Sequence, residues 1–85
     1  MNISKQEQRV LHILALGGSI RYLRKESGKV HEITCYTREG NILSNCTIDT
    51  FHRLKRKKLI NSKKSQPYRI TKLGALSVQS QMMQR

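Results

Sequence analysis

Cys46–Gly74, CTIDTFHRLKRKKLINSKKSQPYRITKLG, decides how this 85-residue chain is read. Thr47 suits a helix N-cap, and Asp49 puts a negative charge in the first turn, where the helix dipole favours it. Ile48, Phe51 and Leu54 recur at helical spacing and form an apolar face, with Thr50, His52, Arg53, Arg56 and Lys57 pointing away from it. Lys55 falls inside the apolar arc, so its methylenes must lie on the core while its ammonium reaches water. The helix is expected over 47–58, its cationic end Arg56-Lys57-Lys58 complementing the C-terminal dipole. Leu59-Ile60 then begins a strand, Asn61 to Gln66 is polar and basic, and Pro67-Tyr68-Arg69-Ile70 returns. The proline suits a strand edge, where no ladder N–H is needed. A β-hairpin over about 59–70 is expected, followed by a helix over 72–80 capped by Thr71 and containing Leu73, Leu76 and Val78.

Upstream, Ser4-Lys5-Gln6-Glu7 matches a capping box. Val10, Leu11, Ile13 and Leu14 share one side of the helix that follows, Arg9 and His12 face away, and Gly17-Gly18 stops it; the expected span is 4–16. SIRYLRK and VHEITCYT are rich in β-formers and are separated by the turn signal Glu26-Ser27-Gly28-Lys29. Arg38-Glu39-Gly40-Asn41 is a second turn before Ile42-Leu43. These predict a three-stranded antiparallel meander over about 19–44, with Ile33 and Cys35 facing inward. Alternation in the middle strand is imperfect. The expected fold class is α+β, a single domain over 1–85 with residues 79–85 frayed at its end.

The formal charge of +12 is unevenly distributed. Residues 1–49 hold seven Lys/Arg against five Asp/Glu, whereas residues 50–85 hold ten Lys/Arg and no acid. Uncompensated charge of that density predicts an acidic partner surface, made of phosphates or carboxylates. The sequence contains no apolar run of membrane-spanning length, and MNISKQEQ lacks the apolar stretch of a signal peptide, so a cytoplasmic location without membrane contact is expected. Cys35 and Cys46 fit that compartment as reduced thiols. With His31 and His52 they could be counted as four metal ligands, but the paired spacing of zinc knuckles is missing, so no metal is expected.

Catalysis finds little support. The five carboxylates are scattered, no glycine-rich phosphate loop is present, and His12, His31 and His52 have no nucleophile and acid arranged around them. Cys46 lies at the start of a helix, where the dipole could activate a thiol, though a small packed side chain is the simpler reading. No cofactor and no small-molecule substrate are expected.

A helix ending L-x-x-K-x-L-I, a polar hairpin tip and then P-Y-R-I-T-x-x-G follow the cadence of winged-helix domains. In such a domain His52, Arg53, Arg56 and Lys57 on the helix, Lys63 and Lys64 on the wing tip and Arg69 on the return strand form the candidate partner or nucleic-acid surface. Phosphate contacts of this kind position a protein without reading sequence. Asp49, Thr50 and His52 are the nearby groups suited to base edges. One departure counts against sequence-specific DNA binding: a helix-turn-helix needs a helix directly before its recognition helix, and here a β meander precedes it.

The opening NISKQEQRVLHILALGG, the central ITCYTREGNIL and the segment FHRLKRKKLI…QPYRITKLG resemble the YjhX-type toxins over about residues 2–74. The resemblance implies a small non-enzymatic toxin of a type II toxin–antitoxin pair that binds bacterial DNA topoisomerase I and blocks relaxation. It also implies a protein antitoxin resembling an N-acetyltransferase. It assigns no residue to the binding surface. A strongly basic inhibitor does not mimic DNA; it would bind an acidic surface of the enzyme, or bind DNA and enzyme together. The residues alone leave open a winged-helix nucleic-acid binder acting as a transcriptional regulator.

Overall fold

The computed structural model describes residues 2–44 and 46–82. In chain order the elements are α1 (Lys5–Ala15), β1 (Ser19–Arg24), β2 (Val30–Tyr36), β3 (Ile42–Leu43), α2 (Ile48–Arg56), β4 (Ile60–Asn61), β5 (Arg69–Ile70) and α3 (Lys72–Met82). This is a small α+β arrangement with antiparallel sheets β1-β2-β3 and β4-β5. It matches the expected order of elements. Two boundaries differ by two residues. α2 ends at Arg56 rather than at 58, and α3 continues to Met82 rather than ending at 80, taking in the first four residues of the tail 79–85. Gln and Met are good helix formers, which favours that extension. The rest of the expected frayed tail, 83–85, lies outside the described residues.

Strand periodicity divides the larger sheet. Ile20 stands opposite Cys35 and Tyr22 opposite Ile33, so these four share the inner face, and Arg21, Leu23, Thr34 and Tyr36 share the outer one. Val30 and Cys35 are both buried, which strict alternation forbids for residues an odd number apart. The register explains it: Leu23 pairs with Glu32 but Arg24 pairs with Val30, so β2 carries one extra residue, His31, as a bulge. That bulge is the source of the imperfect alternation in VHEITCYT.

The two sheets are stitched together by one bridge. Ile20 N–H donates to the Tyr68 carbonyl at 2.9 Å and Tyr68 N–H donates back to Ile20 at 2.8 Å. Around it lies a core built from Val10, Leu11 and Leu14 of α1, Ile20 and Cys35 of the sheet, Phe51 and Leu54 of α2, then Leu59, Ile60, Tyr68 and Val78. The Tyr68 ring meets Phe51 edge-on at 4.9 Å and Tyr22 at 5.2 Å, favourable geometries for aromatic pairs. Lys55 reaches past the core as expected, its ammonium 5.9 Å from the Tyr68 ring centre.

Helices α1 and α2 end alike with different residues. After α1, Gly18 N–H bonds Ile13 C=O and Gly17 N–H bonds Leu14 C=O, with Gly17 at φ 106°. After α2, Leu59 N–H bonds Leu54 C=O and Lys58 N–H bonds Lys55 C=O, with Lys58 at φ 61°. Both are Schellman caps, and the second places a lysine where glycine is normal. The left-handed turn at Lys58 is what stops α2 early. Thr71 then joins the end of α2 to the start of α3: its hydroxyl donates to the Lys58 carbonyl at 2.9 Å and accepts from Gly74 N–H at 3.1 Å. Gly74 is required here because a Cβ would collide with the Leu59 carbonyl oxygen and the Ile70 side chain.

One partly buried ion pair ties α1 to the end of α2. Lys57 Nζ lies 2.7 Å from Glu7 Oε2 and 2.6 Å from the Asn2 carbonyl oxygen. The Glu7 side chain is 3% exposed and that of Lys57 29%. Burial works to raise the Glu7 carboxyl, but the hydrogen bond and charge of Lys57, with contacts from Ser4, outweigh it and leave its pKa below the ordinary value. Ser4 meanwhile caps α1, its hydroxyl accepting from Glu7 N–H at 3.1 Å.

Lys58→Gly should stabilise the fold by about 1 kcal/mol, because it removes the left-handed cost borne by a residue with a Cβ. Gly74→Ala should destabilise by about 1–3 kcal/mol despite alanine's higher helix propensity, since the clash is with backbone. Urea titration checks both. Glu7→Gln should cost about 2–3 kcal/mol at neutral pH, below the value for a fully buried pair because Lys57 keeps some water. With the folded pKa depressed, this contribution is complete above the unfolded value of about 4.3 and is lost as pH falls through the folded one. Urea midpoints measured at neutral and strongly acidic pH should therefore converge between the wild type and Glu7→Gln.

Candidate basic interface

Of the seven residues singled out from sequence, five are exposed, His52 is half-buried and Lys57 is drawn into an ion pair. On α2, Arg53 and Arg56 are exposed, and Arg53 pairs with Asp49 one turn earlier at 2.8 Å. That pair is half or more exposed on both sides and contributes little to stability. His52 is half-buried, its ring edge-on to Phe51 at 5.4 Å. Lys57 is committed to Glu7 and Asn2, so it belongs to the architecture rather than to the outward face on which it was expected. Thr50 is also displaced from that face: it is 3% exposed, and its N–H and hydroxyl both meet the Thr47 hydroxyl. Of the three expected base readers, Asp49 is bound to Arg53 and Thr50 is buried, leaving His52.

The hairpin supplies the denser group. Lys63, Lys64 and Arg69 are exposed, and Lys63 and Arg69 line an open groove of about 520 Å³ between the hairpin and the start of α3. Lys72, in the first turn of α3, joins them there, with Asn61, Gln66 and Thr71. Lys72 was missed because it was read only as the opening of a helix. α3 carries no acid in its first turn, so the groove meets a helix N-terminus with cationic rather than anionic side chains around it.

The hairpin tip is a two-residue turn. Gln66 N–H bonds Lys63 C=O at 3.0 Å, and Lys64 and Ser65 have φ of 52° and 62°. Two left-handed residues in succession mark a type I′ turn, which suits the strand twist and favours Asn-Gly. Lys-Ser is costly there, on the order of 1 kcal/mol or more per residue. In exchange the tip presents an ammonium and a hydroxyl.

β1 contributes cations that sequence reading passed over. Arg21 stacks over the Tyr36 ring at 5.5 Å and Arg24 over Tyr22 at 5.1 Å. The signal was present in the run RYLR, but the modest net charge of the first half concealed it. Hydrogen bonding with Ser62, set against partial desolvation and reinforced by Arg24 and Ser65, holds the Tyr22 phenol below its ordinary pKa.

Cys35 and Cys46 are free thiols, the first buried and the second half-buried, and each shifts the titration of the other. Donation from Cys46 holds Cys35 down, and the same bond with burial pushes Cys46 up. Cys46 is therefore not activated by the following helix. Among the described residues no three His, Cys, Asp or Glu side chains are grouped as metal ligands would be, and no helix is long and apolar enough to cross a membrane.

Known proteins provide an independent line. The profile of a family described as "Putative toxin of bacterial toxin-antitoxin pair" matches residues 1–85. A UPF0386 protein of Aliivibrio fischeri is 69% identical over the full length of both chains. UPF0386 proteins of a Ruegeria species and of Beijerinckia indica are 58% and 49% identical, again over the whole of each chain. No solved structure matches. The end-to-end match, which takes in the meander, α2 and the basic hairpin alike, means that this chain belongs to the YjhX toxin family.

Proposed function

We propose that this protein is the toxin of a toxin–antitoxin pair and acts without catalysis, by binding bacterial DNA topoisomerase I through a winged-helix-like basic surface. Membership of the toxin family supports the first part. The observation that carries the second is the cationic surface itself. Arg53 and Arg56 on α2 and Lys63, Lys64 and Arg69 on the hairpin are exposed, in a half of the chain that contains no carboxylate beyond residue 49. Their counterpart is an acidic face of the enzyme, alone or with bound DNA. The target follows the resemblance of the chain to topoisomerase-inhibiting toxins, and the same resemblance gives an N-acetyltransferase-like protein as the antitoxin.

A duplex-binding winged helix is the second reading, favoured by the same exposed cations. Strand β3, rather than a helix, precedes α2, which works against the docking geometry of a helix-turn-helix. The two readings differ in salt response. Phosphate binding should weaken with a log–log slope of about −0.9 per neutralised phosphate.

Relaxation of negatively supercoiled plasmid by purified topoisomerase I is the deciding assay. Inhibition should persist when DNA is in excess, and the enzyme should co-purify with the protein. Arg53→Glu with Arg56→Glu should abolish inhibition while the circular dichroism spectrum is retained. Lys57 is left unchanged because its loss would leave the buried Glu7 carboxylate without its partner. An absence of inhibition at stoichiometric excess would remove the topoisomerase reading.

A further inference from the structure

The proposed function leaves unused a second group of cations, those of β1. β1 and the β4–β5 hairpin join at Ile20 and Tyr68, and beyond that bridge a cleft of about 500 Å³ lies between Arg21–Arg24 and Ser65 and Pro67. A hollow of about 240 Å³ shares Arg21, Tyr22 and Leu23 with it and extends over the outer face of the sheet to Thr34 and Tyr36. The two form one track along β1.

Charge, stacking and exposed apolar surface coincide on this track. Among the described residues the ion pairs are Arg53–Asp49 and Lys57–Glu7, so neither Arg21 nor Arg24 has a carboxylate partner. Each guanidinium instead lies over a tyrosine ring, which holds its planar donors in place. Between and beside them, Leu23 is 57% exposed and Ile42, across the sheet from Tyr36, is 65% exposed. The Tyr22 hydroxyl, 3.4 Å from that of Ser62, adds a polar group at the hairpin side. Ser65 borders the cleft while held in a left-handed conformation that glycine would adopt freely; glycine would bring no hydroxyl.

We infer that this track binds a short stretch of single-stranded nucleic acid, with Arg21 and Arg24 holding phosphates and Tyr36 and Leu23 receiving base faces. At about 3.3 Å per residue the two arginines stand roughly 10 Å apart along the strand and on opposite faces. Arg21 lies on the outer face with the apolar surface of Leu23 and Tyr36, and Arg24 with Tyr22 on the other, so the track turns around the β1 edge that faces the hairpin. An acidic peptide would satisfy the guanidiniums and leave that surface uncovered. A duplex keeps its base faces stacked inside and could offer only phosphates. Single strands use both, through a positive groove lined with aromatic platforms. Glu32, opposite Leu23, is the carboxylate on the track, and its repulsion directs the phosphates towards the hairpin side.

Fluorescence anisotropy with a labelled oligothymidylate tests this in the intact protein. Arg21→Gln with Arg24→Gln should weaken binding about tenfold or more. Tyr36→Leu, which leaves the charge unchanged, should weaken it about fivefold or more, and Tyr36→Phe should restore it. Lys5→Gln with Arg9→Gln removes the same charge from α1 and should change affinity less than about twofold. Thermal unfolding confirms that each variant is folded. The inference fails if the oligonucleotide does not bind, if the α1 control loses as much as the β1 pair, or if Tyr36→Leu binds normally. It also fails if duplex of equal length binds as tightly, or if polyglutamate displaces the oligonucleotide equally well; the latter would assign the track to an acidic protein.

Discussion

The reciprocal hydrogen bonds between Ile20 and Tyr68 hold the two halves of this protein in one structure. They join a residue of the first strand to one near the end of the chain, so the loop closed between them is long and its entropic cost must be offset elsewhere. The offset is visible at the bridge. Ile20 is fully buried there, and the Tyr68 ring sits between Phe51 and Tyr22 with Lys55 passing over it. Because Tyr68 precedes β5, the same bridge fixes where the hairpin stands relative to β1. The cleft lined by Arg21, Arg24 and Ser65 is a consequence of that placement.

What was legible in the sequence was local. Caps at Ser4, Thr47 and Thr71, the glycine stop after α1 and the 3.6-residue spacing of Phe51 with its neighbours act within one turn, so the elements could be read directly. Long-range partners were not legible. A helical wheel gives the direction of Thr50 and Lys57 but not what stands opposite. α1 stands there, and it supplies Glu7 to Lys57. Thr50 enters the core because Thr47 satisfies its hydroxyl locally, which removes the usual penalty for a buried polar group. The bulge at His31 was hidden for a related reason: periodicity records an interruption without saying which residue is extra. Lys58 carried no signal, since a lysine gives no warning of a left-handed cap.

The candidate site divides along the same line. Exposed cations on α2 and the hairpin were visible as a run of charge, and Arg53, Arg56, Lys63, Lys64 and Arg69 remain at the surface. Lys57 belonged to the run by sequence and is paired with Glu7 of α1 in the structure. Arg21 and Arg24 show the reverse: a sum over half the chain counts their charge against five acids, whereas neither is ion-paired with any of them among the described residues. Two of the five acids, Glu7 and Asp49, are bound to Lys57 and Arg53, so they neutralise nothing near β1.

The hairpin lies between both cationic surfaces. Lys63 and Arg69 line the groove towards α3, and Ser65 and Pro67 line the cleft towards β1. Its short strands could not by themselves fix it in two contacts at once. Its position is set instead by the Tyr68 bridge at the base, the tight turn at Lys64-Ser65 and the hydroxyl of Ser62, which meets both Tyr22 and the Gln66 carbonyl. A ligand that displaced the hairpin towards one side would widen one recess and narrow the other. The β1 cleft and the groove towards α3 therefore share the hairpin as a common wall, and the few residues that fix its position shape both.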